Sequence, residues 1–260
     1  MGTAYYWKEK EARAVLAQTQ ATKMFLNYNV EITECVNASK IYTPDTFFDT
    51  TNWKQKEQLF LTLKSIDSVG AIFDNQNIGK TAVLNFASYK NPGGKFLEGS
   101  RAQEESLCHN SYLFNVLNKF SDYYAWNNEH KNNGLYLNRA IYSPNVLFFS
   151  GDKKKSCDVI TCAAPNRFRH TKATKEENTE ALNERIRFIL NIAADNKVDN
   201  LILGAFGCGV FNQDATEVAQ IFLSYLMTTR KLFNTVIFAI PKSNNDDNYN
   251  KFMKAFKGKK

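Results

Sequence analysis

Three consecutive side chains, Gln103, Glu104 and Glu105, stand just downstream of the glycines Gly93, Gly94 and Gly99. Adjacent carboxyls beside a flexible turn suit chemistry on a bound sugar or phosphate, where one acid donates a proton and its neighbour orients a hydroxyl. Ser100 followed by Gln103 has capping-box spacing, which puts both glutamates in or near the first turn of a helix. That placement also has a purely structural use, since acids in a first turn stabilise any helix by about 0.3–1 kcal/mol. The upstream glycines favour a site, because they let backbone approach a ligand while a rigid helix end holds the acids. A helix N-terminus favours the ionised carboxylate, whereas a general acid must keep its proton near neutral pH. A neighbouring glutamate and a bound pyrophosphate both push the pKa back up.

A second glycine stretch, Gly204-Ala205-Phe206-Gly207-Cys208-Gly209-Val210-Phe211, separates the strand-like Leu201-Ile202-Leu203 from a helix starting near Asp214. Backbone amides at such a junction can turn toward an anion, with the helix dipole adding favourable potential. The spacing is neither the dinucleotide fingerprint nor a Walker loop, and a tight turn accounts for the glycines equally well. Cys208 has no histidine near it in sequence and reads as a small buried thiol rather than a nucleophile.

The elements that must position these residues follow from patterning. Residues Trp7 to Phe25 read as an opening helix, and Tyr28 to Val36 alternates apolar and polar residues as a half-buried strand does. Tyr42 to Asn52 reads as a loop, with a second helix from Trp53 to about Lys64. Thr81 to Ala87 is a short apolar run suited to a buried central strand, with Asn85 near its carboxyl end, where open α/β sheets bind ligands. One helix runs on from Ser100 through Leu107, Leu113, Val116 and Phe120. Ser121 to Arg139 lacks periodicity and reads as a long surface excursion. Two strands, Val146–Phe149 and Asp158–Ala163, flank the turn Ser150–Lys155. A helix follows from Glu176 to Asp195, another from the capping box Asp214/Glu217 to Met227, and a last strand, Thr235–Ile240, ends at Pro241. Strands alternating with helices imply an α/β sheet covered on both faces.

The 260 residues, 43% hydrophobic, are enough to bury one core, and no internal repeat is visible. Lys and Arg number 33 against 26 Asp and Glu, a formal charge of +7 that favours anionic partners. Part of this excess belongs to Lys251–Lys260, which reads as a solvated basic tail. The odd, scattered Cys35, Cys108, Cys157, Cys162 and Cys208 argue against a disulfide framework and for a reducing compartment. Cys157 and Cys162 lack a second ligand pair, and His109, His130 and His170 form no ligand cluster, so no metal is expected. No apolar leader or membrane-length run is present, and a soluble, cytoplasmic protein is expected, nuclear if the source is eukaryotic.

At these residues the sequence resembles the bacterial-type poly(ADP-ribose) glycohydrolases, whose signature is a glycine triplet followed by Gln-Glu-Glu. Here Gly93-Gly94-Lys95 precedes Gln103-Glu104-Glu105; Lys95 stands where the third glycine would be. Asn85-Phe86-Ala87-Ser88, Ala163-Ala164-Pro165-Asn166 and Gly204 to Phe211 are similar to the family's strand end, middle loop and diphosphate loop. The resemblance implies a three-layer α/β/α macrodomain-like fold with a mixed central sheet, in a single catalytic domain. It comprises an N-terminal helical extension over about 1–65, a core over 66–245 and the basic tail over 246–260. It also implies that Glu105 is the catalytic acid, that Glu104 holds ribose hydroxyls with help from Gln103, and that Asn85 contacts the distal ribose. Gly93 and Gly94 would border the substrate, Gly207, Cys208, Gly209 and Val210 would wrap the diphosphate, and Phe211 would pack on the ligand. The implied activity is cleavage of the ADP-ribose glycosidic bond in poly(ADP-ribose) or in a modified protein or nucleic acid, by a monomer with no cofactor. A binding module that recognises ADP-ribose without turnover is the alternative; retention of both glutamates argues for the enzyme.

Overall fold

The computed structural model describes residues 2–167, 172–228, 231–244 and 247–258. The first part of the chain forms α1 (Gly2–Ala38), β1 (Lys40–Tyr42), β2 (Phe60–Lys64), α2 (Ser68–Asp74), β3 (Thr81–Phe86), α3 (Gln103–His109), α4 (Leu113–Leu117) and α5 (Ser121–Glu129). It continues with β4 (Ala140–Ser150), β5 (Lys153–Cys162), α6 (Lys175–Asp195), β6 (Asn200–Leu203), α7 (Ala215–Thr228), β7 (Thr235–Ala239) and α8 (Asn248–Lys257).

Among the described residues the strands make one seven-stranded sheet in the order β1-β4-β5-β3-β6-β7-β2. It is mixed: β1, β4 and β5 pair antiparallel, while β5, β3, β6, β7 and β2 run parallel. The expected central strand is β3, at the middle of the order, and its residues Ala82 to Asn85 are buried on both faces. Parallel strands of this kind need apolar side chains on each side, which the run Ala82-Val83-Leu84 supplies. One core lies between the sheet and α6, α7 and α8, with Leu182, Ile186, Phe222 and Phe252 at its centre. The other lies beneath α1 to α5, with Ile32, Leu107, Leu113 and Tyr123. Helices thus cover both faces, giving the three-layer α/β/α arrangement.

Several expectations change. The strand expected at Tyr28–Val36 is the second half of α1, beyond a non-helical Tyr28 (φ −136°, ψ 29°). Ile32 and Cys35 are buried there, as Met24 is just before it, while Val30 is 62% exposed, so burial follows helical spacing and the alternation was incidental. The helix expected at Trp53–Lys64 is replaced by β2, which gains its partner β7 from far along the chain. β1 and β2, which lie within the expected N-terminal segment, form the two edges of the sheet.

The single helix expected from Ser100 breaks at Ser111, whose hydroxyl donates to Leu107 O (2.7 Å) and accepts from Leu113 N (3.0 Å). It ends α3 and starts α4. The supposed excursion Ser121–Arg139 contains α5, with Tyr123, Tyr124 and Asn127 buried. The basic tail is α8, anchored by buried Phe252 and by Lys251 Nζ at 3.1 Å from Asp214. Lys259, Lys260 and His170 lie outside the described residues. Among the described residues no helix is long and apolar enough to cross a membrane, and no three His, Cys, Asp or Glu side chains group as metal ligands.

Candidate active site

The end of β3 is where the sheet opens. Pairing with β6 stops at Val83↔Ile202, leaving Leu84 to Phe86 without a strand on that side. The carboxamide of Gln103 takes the vacant place: Nε2 donates to Leu84 O (2.9 Å) and Oε1 accepts from Phe86 N (2.8 Å). Nε2 also reaches Ser68 Oγ at the start of α2 (3.0 Å). Gln103 therefore locks the first turn of α3 to the central strand through hydrogen bonds to protein groups.

This lock sets both acids at the strand end, where they are almost wholly buried. Glu104 Oε1 accepts from Asn85 Nδ2 (3.2 Å) and Oε2 from Ser88 N (2.7 Å). Glu105 Oε1 accepts from Lys95 N (2.9 Å) and Oε2 from Ala102 N (2.9 Å). The helix cap is thus Ala102 with Glu105 reaching back to it, not the expected Ser100 with Gln103. Helix capping and acid placement are one arrangement here: Glu105 caps, while Glu104 faces the strand. Burial pushes the Glu104 carboxyl up to about 8, against the opposing bonds from Ser88 and Asn85 and with the charge of Glu105 adding to the rise.

Gly94 explains why the loop carries glycine. Its φ is +62°, and a Cβ there would lie 2.6 Å from Glu105 Oε1 and 2.9 Å from Glu104 Oε2. The backbone lies directly against both carboxylates, where no side chain fits. Gly93 packs instead on Phe114 and Cys108. The Cys108 thiol is raised well above its ordinary range by burial and by both glutamates, so it stays neutral. Asn85 donates its other amide hydrogen to Thr161 Oγ1 (3.3 Å), while its buried Oδ1 finds no hydrogen-bond partner among the described residues.

The second glycine loop joins β6 to α7 at the same sheet end. Asp214 caps α7, Oδ1 accepting from Thr216 N (2.8 Å) and Glu217 N (3.1 Å). Gly207 (φ +75°) faces inward: a Cβ there would meet Ala164 Cβ at 2.7 Å and Gln213 Cγ at 2.9 Å. Gly209, by contrast, has open space at that position, next to exposed Val210 and half-buried Cys208. Gln213 Nε2 donates to Pro165 O (2.7 Å) and Asn178 Oδ1 (2.8 Å), tying this loop to Ala163–Asn166. Phe211 packs edge-on against Tyr136 (5.8 Å between ring centres), and Tyr136 stacks on Tyr89 at 4.1 Å. Since Tyr89 follows Ser88, which holds Glu104, the two glycine loops meet through three aromatic rings.

Three parts of this site were not legible in the sequence. A cavity of about 540 Å³ opens beside Gln103 and Phe86, lined also by Asp67, Ala205, Ile240 and Asn248. The signal available was Asp67, which follows the end of β2 and caps α2 by accepting from Gly70 N (2.6 Å). α5 supports the acid loop, Asn127 Nδ2 donating to Tyr89 O (2.8 Å) while Arg139 donates to Asn127 Oδ1 (3.0 Å). Buried Arg185 holds the middle loop through Ala163 O and ties it to the segment before β4 through Asn138 Oδ1 (2.6 Å). Asn127, Arg139 and Arg185 are single polar residues in otherwise ordinary stretches, and only long-range contacts give them meaning.

Residues 11–151 match the family model described as the microbial-type PARG catalytic domain. The poly(ADP-ribose) glycohydrolase of Thermomonospora curvata is 25% identical over 95% of this chain and 100% of that one, with a TM-score of 0.86. The same enzyme bound to the inhibitor ADP-HPD gives 26% identity, coverage of 94% and 99%, and a TM-score of 0.82. The poly(ADP-ribose) glycohydrolase of Deinococcus radiodurans in complex with ADP-ribose gives 28%, 88% and 98%, with a TM-score of 0.78. No curated protein sequence matches. The family match spans more than half of the chain, which therefore belongs to the microbial-type poly(ADP-ribose) glycohydrolase catalytic-domain family.

Proposed function

We propose that this chain hydrolyses the glycosidic bond joining ADP-ribose units in poly(ADP-ribose), with Glu105 as the general acid. The observation that carries the assignment is the pair of buried carboxylates on either side of Gly94, each oxygen held by an N–H donor. Glu104 and Asn85 grip adjacent hydroxyls of the terminal ribose, and the unpartnered Asn85 Oδ1 accepts from one of them. Gly94 lets the sugar approach both acids. The outward part of the loop around Gly209 and Val210 cradles the diphosphate with backbone amides, and Phe211 packs on the ligand. The cavity beside Gln103 holds the nucleoside end.

Glu105 transfers its proton to the leaving oxygen as the anomeric carbon–oxygen bond breaks. The carbon passes through an oxocarbenium-like state. Water then attacks that carbon, and its surplus proton returns to the Glu105 carboxylate. Burial pushes the Glu104 carboxyl up to about 8, so it meets the ribose hydroxyls as a neutral group at neutral pH. The direct test incubates the chain with poly(ADP-ribose) and measures free ADP-ribose. Release is expected; tight ADP-ribose binding with no release would make the chain a reader.

A further inference from the structure

We propose that Lys95 binds a phosphate of the acceptor on the leaving-group side of Glu105, and so favours poly(ADP-ribose) over substrates whose leaving group carries no phosphate. This rests on Glu105 being the acid. Asn85 Nδ2 holds Glu104 at 3.2 Å, while Lys95 N and Ala102 N each hold one oxygen of Glu105 at 2.9 Å. The sugar belongs at the buried strand end with Asn85 and Glu104. A leaving oxygen protonated by Glu105 therefore departs toward Lys95.

Gly94 has no side chain and lies against both carboxylates, so Lys95 is the first side chain the loop offers beyond them. Its backbone is pinned relative to the acid. The Lys95 carbonyl accepts from Glu98 N (3.1 Å) and Ser100 N (3.2 Å), while its own N–H goes to Glu105. The ammonium is not pinned: it lies 3.6 Å from Glu98 Oε2, and the two side chains are 60% and 59% exposed. Ion pairs this exposed contribute little and exchange freely, so a phosphate can displace Glu98. In the polymer the leaving oxygen belongs to another ADP-ribose unit, which brings its pyrophosphate to that side; an uncharged leaving group brings none.

The test compares Lys95→Ala and Lys95→Glu with the unsubstituted chain on poly(ADP-ribose) and on ADP-ribose carrying a p-nitrophenyl leaving group. The ratio of kcat/KM for polymer to that for the nitrophenyl substrate should fall about threefold to tenfold in the alanine variant, as expected for an exposed charge contact. It should fall further with glutamate. The loss should appear in KM and shrink as salt is raised. An unchanged ratio in both variants, or an equal loss on both substrates, would overturn the proposal. An oligonucleotide carrying one ADP-ribose that depends on Lys95 more strongly than polymer does would overturn the choice of polymer. Failure of the unsubstituted chain to cleave either substrate would instead count against Glu105 as the acid.

Discussion

Asn85 Nδ2 sits 3.2 Å from Glu104 Oε1, so a buried residue of the central strand and the first acid of α3 hold each other at the floor of the site. The bond stabilises a carboxylate, yet burial dominates and the Glu104 carboxyl is raised to about 8.

Between the ordinary carboxyl range and pH 8 the folded chain holds a proton on Glu104 that the unfolded chain has released. This group's contribution to stability is therefore fully present at low pH and is lost as pH rises through that window. Glu104→Gln removes the titration, and Asn85 can turn its amide so that Oδ1 accepts from the new side chain. The stability of the variant relative to the unsubstituted chain should rise by about 1–3 kcal/mol between pH 5 and pH 8.5. Urea denaturation at both values checks this; parallel pH curves would remove the shift from the account.

The two glycines of the β6–α7 loop should respond differently. Gly207→Val forces a branched side chain into a left-handed backbone against Ala164 and Gln213, and should cost several kcal/mol of stability. Gly209→Val meets open space and should leave thermal stability intact while weakening ADP-ribose binding about tenfold or more. Calorimetric titration with ADP-ribose decides; unaltered affinity in a folded Gly209→Val variant would take this loop away from the diphosphate.

Gln103→Ala removes the carboxamide that stands in for a strand beside Leu84 and Phe86. Leaving those groups unpaired should lower stability by about 1–3 kcal/mol. Because the same clamp seats the first turn of α3, kcat should fall while the acids remain. Thermal melts and ADP-ribose release measure the two effects. Loss of stability with full kcat would make Gln103 structural only.

The chemistry was legible because it is local. A buried strand, a glycine turn and an acidic helix start occur within one short stretch, each with its own signal in the sequence. What was missed depends on partners distant in the chain. β2 is a strand only because β7 lies beside it. α5 seemed structureless because Asn127 and Arg139 earn their places through Tyr89 and through the rings of Tyr123 and Trp126. α1 misled through period: exposed Val30 beside buried Ile32 imitates alternation, whereas Met24, Ile32 and Cys35 mark a helix face. At Gly207 the sequence shows a glycine in a loop, but not that the place of its missing side chain is taken by Ala164 and Gln213, which come from elsewhere along the chain.

The most direct test is release of ADP-ribose from poly(ADP-ribose) by Glu105→Gln, with ADP-ribose affinity measured in parallel. Glutamine keeps the size of the side chain and an oxygen for one of the N–H donors, but carries no transferable proton. The predicted result is a loss of about 100-fold or more in kcat with affinity nearly unchanged. Cleavage at the full rate by that variant would contradict the assignment of Glu105 as the acid.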